Sequence, residues 1–153
     1  MNKKYTFTTA FVYSVKGELE QWVHEFLCGE GKNKDFSNGL KLCDRYYYGP
    51  KKMKLNLFER CYGPEENMKY VSNGERFNLK VDKMIDEINR GWDIPPLIIK
   101  YENNIFELND GNHRYEALIK ANFEEYYVII WATEKSDMDG FISKYEKRKL
   151  SKG

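Results

Sequence analysis

The chain has 153 residues, of which 41% are apolar, 16% aromatic and 32% charged, and its 25 basic and 24 acidic side chains leave a net charge of +1. A chain this long buries roughly 68–70% of its unfolded surface as one domain without disulfides, which excludes global disorder. The near-zero balance excludes a whole-molecule field that would draw in a polyanion, so any nucleic-acid contact has to be local.

Cys28, Cys43 and Cys61 form an odd set without C-x-x-C spacing. That disfavours a disulfide framework or a zinc knuckle and leaves the expectation of reduced core thiols. The first residues are basic but lead into a threonine-rich alternation rather than the apolar stretch of a signal peptide. No run approaches the roughly 18 apolar residues of a membrane span, so no membrane contact and a cytoplasmic location are expected.

From Tyr5 to Val15 the bulky residues Tyr5, Phe7, Phe11, Tyr13 and Val15 fall on odd positions, a period-two pattern that predicts a strand. Leu19, Trp22, Val23, Phe26 and Leu27 then recur at helical spacing up to Gly29, with Glu18, Gln21 and Glu25 facing outward. Residues 29–38 are rich in Gly, Lys and Asn and predict a surface loop. It separates an N-terminal strand–helix extension, residues 1–44, from a domain over residues 45–153.

Within that domain Arg45 to Pro50, followed by Met53 and Leu55, predicts a kinked strand, and Gly63-Pro64-Glu65-Glu66 a turn. Val81, Met84, Ile85 and Ile88 form a helical stripe, capped by Asn78 at its start and ended by Gly91 in the left-handed region. Ile94-Pro95-Pro96 forbids helix and opens a strand Leu97–Tyr101. A turn at Glu102-Asn103-Asn104 sends the chain back as Ile105–Leu108 and into Asp110-Gly111. A helix with Tyr115, Leu118 and Ile119, a strand Tyr126–Trp131 and a last helix from Asp137 with Phe141, Ile142 and Tyr145 complete the order.

The chemistry concentrates at Asp110-Gly111-Asn112-His113-Arg114. A strand that ends in a glycine and starts a helix leaves backbone N–H groups unpaired, and the helix dipole adds positive potential where a phosphate could sit. His113 can donate one hydrogen bond and Arg114 can clamp two anionic oxygens. Cations at a helix N-terminus oppose the macrodipole, and a locally unfavourable residue often marks a site. The structural alternative is that Arg114 pairs with a nearby carboxylate and His113 caps a strand end.

The run Asp110 to Ala117 resembles the G-x-x-R-x-x-A box of ParB-type domains and, more closely, the G-C-H-R-Y-x-A box of sulfiredoxin. Lys80-Val81 leading a helix, Ile94-Pro95-Pro96-Leu97 opening a strand, and the hairpin into Gly111 follow in sulfiredoxin's order and approximate spacing. The confident match spans residues 78–131. The resemblance implies an α+β, ParB/sulfiredoxin-like domain: a small mixed sheet with packed helices, residues 46–77 supplying its first strand.

It also implies phosphate contacts at Lys80, His113 and Arg114 and a close backbone approach at Gly111, with Lys83 able to assist. Glu87, at another of the family's phosphate positions, cannot. Asn112 occupies the place of sulfiredoxin's catalytic cysteine, and an amide cannot become the thiolate that sulfinic acid repair requires, so sulfiredoxin activity is not expected. Free serine kinases of the same fold have D-G-H-x-R-type boxes and an acidic residue early in the domain. By that likeness Glu65 or Glu66 would act as general base while Asp110 positions the acceptor or a Mg2+ ion carried by the nucleotide. The bland reading of Glu65 and Glu66 is turn decoration.

The leading functional expectation is a nucleotide-binding protein that uses ATP, ADP or CTP with Mg2+ as a phosphotransferase or nucleotide hydrolase acting on an unknown small-molecule or protein acceptor. One alternative is a DNA-associated module or a ParB-like nuclease, touching phosphates through Lys144, Lys147, Arg148, Lys149 and Lys152. The other is a nucleotide-sensing interaction protein without catalysis. In it Trp22 and Phe26 meet a partner, unless they only cover the sheet. His24 is assigned no role.

Overall fold

In the computed structural model the described residues are 3–60, 62–63, 70–71 and 74–146. Three helices, α1 (Phe7–Val15), α2 (Leu19–Cys28) and α3 (Lys34–Leu40), precede strand β1 (Tyr46–Lys54). A 3-10 turn at Leu55–Leu57 leads to short strands β2 (Glu59–Arg60), β3 (Tyr62–Gly63) and β4 (Tyr70–Val71), then to helix α4 (Gly74–Asn89). The chain continues as β5 (Leu97–Glu102), β6 (Ile105–Asp110), α5 (Asn112–Lys120), β7 (Glu125–Ala132) and α6 (Lys135–Tyr145).

Five strands form one mixed sheet in the order β1-β7-β5-β6-β2. The β1–β7 and β5–β6 pairs are antiparallel, while β5–β7 and β2–β6 are parallel. Helices cover both faces, which is why β5 and β7 read as continuous apolar runs rather than alternating ones. On one face Leu97, Ile99, Tyr101, Val128, Ile130 and Ala132 pack with Leu118 of α5 and with Met138 and Phe141 of α6. On the other, Ile98, Ile129 and Trp131 pack under Leu19, Trp22, Val23, Phe26 and Leu27 of α2, with Ala10 and Leu40. Helix α4 lies against α5 through Phe77, Val81 and Ala117.

The α+β architecture, the hairpin, the strand after Pro96 and the helix from Gly111 agree with the sequence expectations. So does Gly91, which leaves α4 at φ +92. Four other expectations need correction. Residues 7–15 are helix, not strand: Thr6 caps it, accepting from the Thr9 N–H while the Thr9 hydroxyl accepts from the Thr6 N–H. That box satisfies the first turn's orphan donors. The odd-numbered Phe7, Phe11 and Val15, which looked like one strand face, are four residues apart along a helix.

Part of the expected loop 29–38 is helix α3, whose inward Ser37 and Leu40 are too few to show a period. Helix α4 starts at Gly74, so Asn78 lies exposed inside it rather than capping it, and Phe77 extends the apolar stripe one turn back from Val81. Cys28 and Cys43 are exposed, not core. Cys28 follows Leu27 and so turns off the buried face of α2, and Cys43 sits in the turn after α3. Cys61, Pro64, Glu65, Glu66, Lys147, Arg148, Lys149 and Lys152 lie outside the described residues. Among the described residues, no helix is long and apolar enough to cross a membrane.

Candidate functional site

The β5–β6 ladder slips by one residue near its end: Ile99 faces Leu108, but Ile98 faces Asp110. Asn109 is the extra residue. An unslipped ladder would pair Asp110 with Leu97 and turn its side chain toward the α5–α6 face, because side chains alternate along a strand. The bulge turns it instead to the side of Ile98, under the N-terminal helices, as bulges beside sites often re-aim a side chain. The Trp131 indole donates to Asn109 Oδ1 at 2.9 Å and holds the displaced residue.

Gly111 follows at φ +104 and acts as N-cap of α5; it brings no cap side chain of its own, and the helix has no acidic residue in its first turn. A Cβ here would stand 2.8 Å from both Arg114 Nη2 and Leu97 Cδ2, so glycine is required by space as well as by φ. The α5 N-terminus opens into a cleft of about 1280 Å³. Its walls come from α4 (Lys80, Lys83, Met84, Glu87), the Trp92–Pro95 connection, and the N-terminal layer through Phe26, Lys32, Asn33 and Phe36.

Lys80 and Lys83 are exposed on the rim. Glu87, also lining the cleft, takes the Lys3 ammonium at 3.1 Å. His113 is half-buried with its ring 4.5 Å from that of Phe77. Burial first, and then the positive charges of Lys80 and Arg114, push its pKa down to about 4. The imidazole is therefore neutral at physiological pH, with donor and acceptor capacity but no charge.

Arg114 points inward and is only 7% exposed. Its Nη2 donates to the Pro96 carbonyl at 3.0 Å and to Asp110 Oδ2 at 3.4 Å, and its guanidinium lies 5.2 Å from the Phe26 ring. Desolvation pulls the arginine pKa down, and Asp110 opposes that pull. Asp110 Oδ1 accepts from Asn33 Nδ2 at 2.9 Å. Both carboxylate oxygens thus hold protein donors, an arrangement that anchors the α2–α3 loop to the start of α5.

The fold brings Lys80, Lys83, Asp110, Gly111, Asn112, His113 and Arg114 to one cleft. Glu65 and Glu66 lie outside the described residues. For Mg2+ the fit is poor, since each oxygen of Asp110 already takes a protein donor and no group of three His, Cys, Asp or Glu residues able to hold a metal occurs among the described residues. The α5 end offers backbone N–H groups behind a left-handed glycine, with Lys80 and Lys83 on the rim and Glu30, Asp35, Glu87 and Glu107 also in the lining. Sequence reasoning missed Phe26, Lys32, Asn33, Phe36 and Trp92. No local signal marks them as cleft residues: the docking of α2 and α3 on the sheet places Phe26, Lys32, Asn33 and Phe36, and the connection from α4 to β5 places Trp92.

No protein-family model matches the chain, and no curated protein sequence matches it. Among solved structures it is similar to sulfiredoxin from Arabidopsis thaliana, at 20% identity and a TM-score of 0.43, over 63% of this chain and 97% of that one. It is similar to the C-terminally truncated chromosome-partitioning protein ParB from Caulobacter crescentus complexed with CTP-γ-S, at 13% identity and a TM-score of 0.40. That match covers 67% of this chain and 56% of that one. A Pnob8-like ParB N-domain gives 16% identity and a TM-score of 0.42 over 71% of this chain and 41% of that one. At these identities the likeness, to sulfiredoxin and to ParB N-domains alike, is one of fold alone.

Proposed function

We propose that the cleft is a nucleotide-binding site, with the phosphates of ATP, ADP or CTP seated on the N-terminus of α5. The observation that carries this reading is the helix end itself. Gly111 gives it no side-chain cap and no carboxylate in the first turn, and it opens into a cleft large enough for a nucleotide. Lys80, Lys83 and Lys32 stand around that opening. Neutral His113 adds a hydrogen bond without adding charge, while Arg114 holds the loop geometry from behind. Trp92 and Phe36 offer aromatic surface for a base.

Hydrolysis or transfer to an acceptor hydroxyl needs a group free to take a proton; Asp110 already holds Asn33 and Arg114, and burial leaves His113 a weak base. We assign that step to Glu65 or Glu66.

Calorimetric titration with ATP, ADP and CTP tests the binding, with saturable heat expected from at least one. Lys80→Ala removes an exposed side chain and is expected to weaken that binding about ten-fold without unfolding the protein. Phosphorus NMR of incubations with Mg2+ and small hydroxyl compounds tests turnover, and Glu66→Gln tests its base. Absence of saturable binding across the panel would remove the proposal.

A further inference from the structure

Asn112 is the first residue of α5, so its own N–H is among those that an anion at the helix end would take. The same residue lines the cleft and is only 5% exposed. The amide oxygen Oδ1 is buried and accepts no hydrogen bond. Two residues that line the same cleft also carry a buried donor without a partner, Arg114 at Nε and Trp92 at the indole Nε1.

Buried polar atoms are nearly always paired. Three orphans on residues of one cleft point to ligand atoms as their partners. The two nitrogens need acceptors, which phosphate oxygens provide. Oδ1 needs the opposite. A fully deprotonated phosphate oxygen beside it would set acceptor against acceptor.

The geometry points to Asn112 as a specificity-determining residue that accepts a hydrogen bond from an O–H group carried beside the ligand's anionic group; this rests on the cleft's taking a phosphate compound. The donor is either the P–OH of a monoprotonated phosphate or a sugar hydroxyl of the nucleotide. Both present the same chemistry to the same oxygen. An unmade bond to a buried amide oxygen is a standing cost in the free protein. A donor-bearing ligand relieves it, and a ligand without the donor does not.

Calorimetric titration of the full chain with two sets of probes decides the matter. The first compares monohydrogen phosphate with sulfate at mildly alkaline pH, where both are dianions and only phosphate keeps a proton. The second compares ADP with its 2′-deoxy and 3′-deoxy forms. In at least one set the donor-bearing probe is expected to bind about ten-fold more tightly, and the set that discriminates names the source of the O–H. In Asn112→Leu, which keeps the volume and removes the acceptor, the preference is expected to shrink to about two-fold or less.

If that variant does not fold, the side-chain carbonyl carbon of Asn112 in the unmodified protein is followed by NMR. It should shift with the preferred probe and stay in place with the donorless one. Equal affinities within both sets, a preference that survives Asn112→Leu, or a resonance moved equally by both probes would overturn the inference while leaving nucleotide binding intact. If neither phosphate nor ADP binds, the reading of the cleft as a phosphate site fails and this inference falls with it.

Discussion

Replacing Asp110 by asparagine separates an anchoring carboxylate from a reacting one. Asp110 and Arg114 are each 7% exposed, so their pair is out of water. The carboxylate accepts from Asn33 at 2.9 Å on one oxygen and from Arg114 at 3.4 Å on the other. Removing one partner of a buried pair costs about 3–5 kcal/mol, because the remaining charge stays buried without compensation. Two features put Asp110→Asn near the low end. Arg114 keeps the Pro96 carbonyl at 3.0 Å, and the new amide retains one acceptor oxygen. That oxygen serves Asn33 or Arg114 but not both, and the amide nitrogen then confronts the other donor. The expected loss is about 3 kcal/mol, a fall in Tm of about 6–12 °C for a domain of this size. Urea unfolding at neutral pH, followed by tryptophan fluorescence, measures it, with calorimetry as a check. A variant within about 0.5 kcal/mol of the parent, the range of an ordinary surface substitution, would refute the anchoring role and return Asp110 to the list of possible bases.

Gly111→Ala forces a Cβ to 2.8 Å from Arg114 Nη2 at φ +104. It should cost about 1–3 kcal/mol, and an unchanged urea midpoint would contradict the close packing described here. His113 makes stability depend on pH. Its folded pKa of about 4 lies below the unfolded value of 6.5, so its contribution is constant above the unfolded value, declines as pH falls from there toward the folded one, and is flat below it. A phosphate held beside it should raise that pKa, and an imidazole NMR titration unmoved by saturating phosphate would place the anion elsewhere. Deleting residues 1–44 strips cover from Ile98, Ile129 and Trp131, each no more than 6% exposed. At about 1.5–3 kcal/mol per buried side chain this approaches the whole stability of a domain, so circular dichroism should find the truncated chain unfolded; a cooperative melt would show that residues 45–153 stand alone.

Where a single element carried its own periodicity and its own stops, the fold was legible. The stripe of Leu19, Trp22, Val23, Phe26 and Leu27 is buried as its spacing implied. Leu97–Tyr101 and Tyr126–Trp131 could only be strands once Pro95-Pro96 and the turn chemistry had bounded them. Residues 5–15 failed because threonines and aromatics favour strands in isolation, while the Thr6–Thr9 box and the seating of Ala10 against α2 decide for helix. The sequence located the site along the chain but not its walls. Asn33 and Phe26 reach it through tertiary docking, and the bulge at Asn109 that turns Asp110 toward them leaves no mark in hydrophobic alternation.

The cations at the start of α5 looked misplaced against the helix dipole, and the structure divides that conflict in two. Arg114 is neutralised locally, folding back onto Asp110 and the Pro96 carbonyl, so its charge serves the architecture. Lys80 is not buried, and with Arg114 it still presses on His113 strongly enough to help hold the imidazole neutral. The residual conflict is thus confined to one place, where positive potential from a helix end, a rim lysine and a buried arginine converges on a half-buried ring. A stable fold tolerates such local disagreement where something outside the chain resolves it. An anion at the α5 N-terminus, as proposed, accepts from the backbone N–H groups, compensates Lys80 and makes protonation of His113 easier. A neutral acceptor meets only the first of these needs, and a cation meets none. If a phosphate sits there as proposed, the His113 pKa rises from its depressed value and reports the binding.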